Sequence, residues 1–200
     1  MLEMPTLETN RLLVRPFVME DLQDAHRLFD IELHDADLGS EKMETLAERA
    51  EWLQWAVLNH KQLAKLNQPP YGDRAIVLKD SGLLIGSCGF VPCLNAFEQL
   101  PAFAARAPSG GQSLYTPEFG LFYALAPAHR RQGYTTEAVQ AMVDYGFQEL
   151  HLKRILAETN YDNLGSMGVM RKLGMRIEKN RHPDPPWLQV VGILENNQSV

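Results

Sequence analysis

The segment of residues 118–150 constrains the fold of this 200-residue chain more than any other. Its apolar, aromatic beginning, residues 119–125, is typical of a buried strand. A basic turn follows and leads into a helical pattern with a wide apolar arc, which predicts a helix packed against a sheet. The turn reads Arg130-Arg131-Gln132-Gly133-Tyr134-Thr135. A strand, a glycine turn and a helix start in this order predict a phosphate site, because unpaired helix N–H groups and the positive dipole end attract anions.

The remaining segments predict one mixed α/β domain. Thr135 or Thr136 is expected to cap the helix after the glycine turn, with Glu137 complementing its positive end. Asp162 or Asn163 is expected to cap a later short helix. The predicted element order is β-α-α-β-β-β-α-β-α-β-β. Further strands are predicted at residues 11–17, 74–79, 83–93, 153–159, 175–178 and 190–194, and further helices at residues 20–29 and 41–66.

The segment of residues 94–113 lacks a clean period and is rich in proline and glycine. It is too long for a plain connection in a compact domain, so we expect an inserted binding loop, a lid or a disordered segment.

Composition narrows the function classes. A net charge of −6 and a pI near 5.5 argue against a nucleic-acid-binding surface, which is usually basic. No apolar run approaches the roughly 18–20 residues that span a bilayer, and no secretory signal is visible, so we expect a soluble, cytoplasmic protein without a membrane partner. Cys88 and Cys93 lie five residues apart on a predicted strand, which places them on opposite faces and predicts two free thiols and no metal site.

Four motifs in a fixed order identify a family resemblance. They are Arg11-Leu12-Leu13-Val14-Arg15-Pro16, the glycine turn with Thr136-Glu137-Ala138, Asn163-Leu164-Gly165-Ser166, and Lys172-Leu173-Gly174-Met175. Together, over roughly residues 10–195, they resemble the GCN5-related N-acetyltransferases (GNAT), in the branch of the ribosomal-protein N-terminal (alanine) acetyltransferases. Nucleotide-binding signatures of the types G-x-x-x-x-G-K-[ST] and G-x-G-x-x-G are absent.

The resemblance implies a central, mostly antiparallel sheet of six to seven strands with about four helices, and acetyl-CoA as cosubstrate. By that resemblance, the backbone of Tyr123, Ala124 and Leu125 pairs with the pantetheine arm, as an added strand would. The diphosphate is expected on the N–H groups of residues 130–135, with Arg130 or Arg131 as cationic contacts. Asn163 and Ser166 are further expected cofactor contacts.

The resemblance also implies direct acetyl transfer to a primary amine. A Glu on the strand before the glycine turn often acts as base, and Glu118 is the candidate, although the usual slot falls on Gly120, one pleat later. The alternative for Glu118 is a strand-edge carboxylate facing water. Ser166 is expected to donate to the departing thiolate or to bond the pantetheine. Many members have a tyrosine acid where this chain has Met170, which leaves Tyr161 and Tyr123 as weaker substitutes.

The acceptor amine stays open between a protein N-terminus and a small molecule. If the family layout holds, Trp52, Trp55 and residues 94–113 and 183–187 surround the acceptor, although core packing is the favoured interpretation for the two tryptophans. A non-catalytic acyl-CoA-binding module and a transferase of a larger acyl group are the alternative functions. The oligomeric state, monomer or homodimer, also stays open.

Overall fold

The residues that the structure describes form eight strands and four α-helices. The computed structural model describes residues 4–36, 38, 42–43, 45–106 and 114–197. The strands are β1 (Leu7–Glu8), β2 (Leu12–Pro16), β3 (Gly72–Leu78), β4 (Leu84–Asn95), β5 (Thr116–Leu125), β6 (Arg154–Thr159), β7 (Arg176–Lys179) and β8 (Val190–Glu195). The helices are α1 (Leu22–His26), α2 (Leu46–Lys65), α3 (Tyr134–Gln148) and α4 (Leu164–Lys172).

The strands belong to one sheet in the order β1-β2-β3-β4-β5-β6-β8-β7. Pairing is antiparallel for β1–β2, β2–β3, β6–β8 and β7–β8, and parallel for β5–β6. The predicted mixed α/β fold with four helices is confirmed. The sheet has eight strands rather than six or seven because the chain before Arg11 adds the two-residue strand β1. No described helix is long and apolar enough to cross a membrane.

The chain divides into two compact units, the first made of residues 1–89 and 123–142. Its core includes Phe17, against which Trp52 and Phe29 pack, with the Trp52 ring centroid 5.4 Å from Phe17 and 5.2 Å from Phe29. Core packing is therefore confirmed for Trp52. It is wrong for Trp55, which is 56% exposed on the outer face of α2.

Helix α2 begins at Leu46, five residues later than predicted. Thr45 and Glu48 form a capping box, since the Thr45 hydroxyl accepts from the Glu48 N–H at 3.2 Å and the Glu48 carboxylate accepts from the Thr45 N–H at 3.0 Å. This reciprocal pair satisfies two helix-end donors and determines the start. Glu41 and Glu44, which the prediction placed in the helix, lie outside the described residues.

The second unit consists of residues 90–122 and 143–200. Strand β6 pairs with β5, where Gly120 lies opposite Leu156, and with β8 along its whole length. Asn163 caps α4, because its Oδ1 accepts from the Ser166 N–H at 3.0 Å. The predicted cap is therefore confirmed.

Part of the segment of residues 94–113 belongs to the core of this unit. It forms short 3₁₀ turns at Phe97–Gln99 and Pro101–Arg106, and it buries Phe97, Leu100 and Phe103 against β6 and β8. Apolar side chains at this spacing bury on a tightly wound backbone, so this part is neither a disordered nor an open loop. Residues 107–113 lie outside the described residues, and a role of the segment in binding stays a prediction.

Gly86 should tolerate no side chain, since a Cβ there would lie 2.5 Å from the Ala124 carbonyl oxygen and 2.9 Å from Leu125 Cδ1. The Ala124 carbonyl belongs to the backbone and can move only if the strand shifts. Gly86→Ala should therefore lower the free energy of unfolding, measured with denaturant, by about 1–3 kcal/mol. Gly168→Ala in α4 is the control, because its Cβ would meet nothing within 4 Å. The control should be neutral or more stable by up to about 1 kcal/mol. Equal stabilities of the two variants would contradict the tight approach.

Candidate functional site

The turn between β5 and α3 has the geometry of an anion site. A 3₁₀ turn at Pro127–His129 follows β5, and then Arg131 and Gly133 both adopt left-handed backbone, with φ of 61° and 85°. Left-handed residues alternating with ordinary ones turn successive N–H groups toward one side, which forms a concavity for an anion. Gly133 reaches this φ without strain, whereas Arg131 does so as a non-glycine residue.

The start of α3 adds to this concavity. The Glu137 N–H donates to the Gly133 carbonyl at 3.0 Å, so Gly133 occupies the cap position and the N–H groups of the first turn have no partner within the helix. The prediction that Thr135 or Thr136 caps the helix is wrong, since the helix begins at Tyr134 and both threonines lie in its first turn. The positive helix end thus lies next to the turned backbone.

Side chains brace the turn from within. Arg130 Nε donates to the Leu125 carbonyl at 3.1 Å, and Gln132 Nε2 donates to the Ala128 carbonyl at 3.1 Å. Arg131 is exposed. Of the two arginines predicted to contact phosphates, Arg130 therefore also supports the end of β5.

The end of β5 is held in the same unit. The Ala126 N–H donates to the Ile85 carbonyl at 2.8 Å, and the Leu125 carbonyl accepts from Arg130. Tyr123 and Ala124 are half-buried and Leu125 is buried. The structure thus brings the predicted pantetheine residues and the predicted diphosphate residues together on one connection of the first unit.

Glu118, Asn163 and Ser166 belong to the second unit. Glu118 Oε2 lies 3.2 Å from Arg154 Nε, and the two side chains are 10% and 8% exposed. Arg154 also lies 3.3 Å from Glu195 and stacks on the Phe103 ring at 4.8 Å. The alternative of a strand-edge carboxylate facing water is therefore wrong, and Glu118 must share or leave an ion pair to accept a proton.

A second carboxylate, which the sequence analysis did not single out, lies on β6. Glu158 accepts from Asn95 Nδ2 at 2.8 Å. Burial raises the pKa of Glu158, and hydrogen bonds from Asn95 and Cys93 oppose this only in part. A carboxyl whose pKa rises toward neutrality is a better general base at physiological pH. The available signal was a glutamate directly after the apolar run Ile155-Leu156-Ala157.

The two thiols are free and uncharged. Burial raises the pKa of Cys88 and of Cys93 to about 12, and Cys93 Sγ donates to the Glu118 carbonyl at 3.4 Å. The predicted absence of a disulfide is confirmed. Among the described residues, no group of three His, Cys, Asp or Glu side chains is arranged to hold a metal ion.

The remaining candidates surround α4. Ser166 is half-buried in the first turn of the helix, and its N–H is bound by the Asn163 cap. The Tyr161 hydroxyl donates to the Asn180 carbonyl, so it is already engaged as a donor. Met170 is fully buried and packs beside Gly192. Roles of Asn163 and Ser166 toward a cofactor stay predictions.

The outer face of α2 in the first unit lines an open cavity of about 360 Å³. Its walls include the exposed Trp55, the half-buried Trp52, and the carboxylates of Glu48 and Glu51. Lys42 and Met43 complete the described lining.

Known proteins share the sequence pattern and the fold of this chain. The family model of the acetyltransferase (GNAT) domain matches residues 11–176. The uncharacterised N-acetyltransferase YnaD of Bacillus subtilis (strain 168) is 28% identical over 176 residues, which cover 86% of this chain and 83% of that protein.

Two solved structures have the same fold. The ribosomal-protein-S5-alanine acetyltransferase from Vibrio fischeri aligns with a TM-score of 0.68 at 17% identity, covering 96% of this chain and 97% of that one. The ribosomal L7/L12 alpha-N-protein acetyltransferase RimL in complex with coenzyme A aligns with a TM-score of 0.62 at 13% identity, covering 94% and 96%. With its family match spanning most of the sequence, the chain belongs to the GNAT family and is an N-acetyltransferase.

Proposed function

We propose that this enzyme transfers the acetyl group of acetyl-CoA to a primary amine, either a protein N-terminus or a small-molecule amine, by direct attack in a ternary complex. The observation that carries the proposal is the turned backbone at Arg131 and Gly133 next to the start of α3. N–H groups converging at a helix start suit a diphosphate. The coenzyme A complex of RimL, a protein of the same fold, supports the choice of ligand.

In this proposal the cosubstrate is held by backbone more than by side chains. The diphosphate accepts hydrogen bonds from the N–H groups of residues 130–135, with Arg131 as an added cation. The pantetheine arm pairs with the backbone of Tyr123 and Ala124. The Leu125 carbonyl already accepts from Arg130, so only its second lone pair is left for the pantetheine arm. Asn163 and Ser166 are proposed as further contacts.

Acetyl transfer needs a base for the amine, a hydrogen-bond donor for the oxyanion of the tetrahedral intermediate, and a proton for the departing thiolate. The amine must lose a proton, its nitrogen then attacks the thioester carbonyl carbon, and the C–S bond breaks as the tetrahedral intermediate collapses. Ser166 is proposed to donate a hydrogen bond to the departing thiolate, which becomes the coenzyme A thiol by taking up a proton from water. A covalent acyl-cysteine intermediate is disfavoured, because the raised pKa of Cys93 leaves very little thiolate.

Two carboxylates compete for the role of base. Glu118 is bound in a buried ion pair with Arg154, whereas Glu158 is bound by the neutral amide of Asn95 and has a raised pKa. An ion pair must be broken or shared before its carboxylate accepts a proton. We therefore propose Glu158 as base ahead of Glu118, and Glu118 as its competitor.

The α2 cavity is the proposed acceptor surface. Trp55 offers an exposed aromatic face, and Glu48 and Glu51 add negative charge beside it. Aromatic faces and carboxylates both attract an ammonium ion. A cationic amine is therefore the proposed acceptor class, and an amine screen read by thiol release would identify its members.

Cosubstrate binding is tested by thermal unfolding with acetyl-CoA. Saturating acetyl-CoA, about a hundredfold above its Kd, should stabilise the wild type by about 2.7 kcal/mol. Gly133→Val should lose this protection, because a β-branched residue resists the left-handed backbone that orients the N–H groups.

The matched control is Gly82→Val, since Gly82 also has left-handed backbone, with φ of 69°, and its Cβ would meet nothing within 4 Å. It should lower stability by a similar amount and keep the protection. A wild type that millimolar acetyl-CoA leaves unchanged would refute the proposed function.

The base is tested by the pH dependence of kcat. A base works only when deprotonated, so the rate should fall as the pH drops through the raised pKa of Glu158. Glu158→Gln should remove this acidic limb and lower kcat by about 10²–10⁴-fold. Glu118→Gln should keep the limb, and both variants should keep protection by acetyl-CoA.

The opposite pattern, in which Glu118→Gln removes the limb and Glu158→Gln keeps it, would assign the base to Glu118. Competition among acyl-CoA donors in the same assay separates acetyl transfer from transfer of a larger group such as succinyl. Binding of acetyl-CoA without transfer to any amine would favour the non-catalytic alternative.

A further inference from the structure

Thr9 and Arg11 bind the carboxylate of Glu137 with four donors. Glu137 Oε1 accepts from the Thr9 hydroxyl at 2.6 Å and from the Arg11 N–H at 2.8 Å. Glu137 Oε2 accepts from Arg11 Nε at 2.7 Å and lies 2.6 Å from Arg11 Nη2. Both oxygens are therefore occupied by the segment that precedes β2.

The same guanidinium reaches the glycine turn. Arg11 Nη1 donates to the Gln132 carbonyl at 3.1 Å, and Arg11 Cζ lies 4.2 Å from the centre of the Tyr134 ring. Arg11 thus contacts the residues on both sides of Gly133, as well as the first turn of α3. A rigid, planar side chain with five donors is suited to hold several groups in one geometry.

Backbone hydrogen bonds fix the turn that carries Arg11 to the sheet. The Lys79 N–H donates to the Arg11 carbonyl at 3.0 Å, and the Leu12 N–H donates to the Thr9 hydroxyl at 3.0 Å. The Thr9 N–H in turn donates to the Leu12 carbonyl at 3.0 Å. The Arg11 side chain therefore extends from a braced turn and not from a loose terminus.

The contact between Arg11 and Glu137 changes the charge next to the proposed anion site. A carboxylate in the first turn of α3 lies at the helix end that an incoming anion would use, and it would repel that anion. Burial raises the pKa of Glu137, but the hydrogen bonds from Thr9 and Arg11 outweigh it, so that pKa is lowered. Arg11 neutralises this charge, and both carboxylate oxygens are bound by Thr9 and Arg11.

We propose that Arg11 is a positioning residue for the diphosphate of the cosubstrate, an inference that rests on the proposed function. It acts through Gln132, Tyr134 and Glu137, by holding the turn in its anion-binding shape and by neutralising the carboxylate beside it. Because the Arg11 side chain is 41% exposed, we expect its loss to change binding of the diphosphate more than the stability of the free protein.

The experiment compares Arg11→Met with wild type, using acetyl-CoA and S-acetyl-pantetheine as donors. The variant should raise Kd and KM for acetyl-CoA about tenfold, corresponding to about 1.4 kcal/mol, with kcat and the melting temperature of the free protein unchanged. With S-acetyl-pantetheine, which lacks the diphosphate, wild type and variant should have equal kcat/KM. A general structural defect would lower kcat/KM with both donors. An equal loss of kcat/KM with acetyl-CoA and with S-acetyl-pantetheine would therefore overturn the proposal.

Three further variants test the role of Arg11 in acetyl-CoA binding. Arg11→Lys should give an intermediate Kd, because an ammonium cannot hold Glu137, the Gln132 carbonyl and the Tyr134 ring at once. In a Glu137→Gln background, Arg11→Met should raise the Kd for acetyl-CoA by a smaller factor, because the carboxylate charge that Arg11 neutralises is absent. Arg27→Met is the matched control, because it also removes one positive charge of the first unit, from ion pairs with Asp24 and Glu32 and not with Glu137, and it should leave Kd unchanged.

The outcomes separate the two proposals. A wild type without affinity for acetyl-CoA would refute the proposed function itself. A wild type that binds acetyl-CoA, with Arg11→Met binding equally well, would overturn only the role of Arg11. If Arg11→Met does not fold, Thr9→Val serves instead, since it removes one donor to Glu137 and should weaken acetyl-CoA but not S-acetyl-pantetheine.

Discussion

The left-handed backbone at Arg131 and Gly133 is the constraint on which the rest of the site depends. Such a conformation costs a non-glycine residue roughly 1–3 kcal/mol, so it persists only where the surroundings hold it in place. Here three contacts do so: Arg130 binds the end of β5, Gln132 binds the preceding 3₁₀ turn, and Arg11 binds the Gln132 carbonyl. The shape of the turn is thus a property of the first unit as a folded whole, and not of the hexapeptide alone.

Local signals explain why much of the fold could be predicted from the sequence. The cap of α4 by Asn163 depends on residues within three positions, and this prediction agrees with the structure. The late start of α2 was predictable too, because Thr45 and Glu48 are a capping box in the sequence itself. The start of α3 was not, since Gly133 replaces the threonines as cap only through the backbone shape of the preceding turn.

The site could be predicted only in part, because several of its contacts join segments that are far apart in the sequence. Arg11 and Glu137 lie 126 residues apart, and no periodicity or spacing links them. The same holds for the carboxylates of the second unit. Glu118 and Glu158 look alike in sequence, but one is paired with an arginine and the other is bound by an amide, and this difference is not visible in the sequence.

The two buried thiols have a consequence beyond the fold. With a pKa of about 12, a thiol is ionised to roughly one part in 10⁵ at neutral pH, and the thiolate is the form that reacts with electrophiles and oxidants. Acylating agents and peroxides therefore find little thiolate to attack at Cys88 and Cys93.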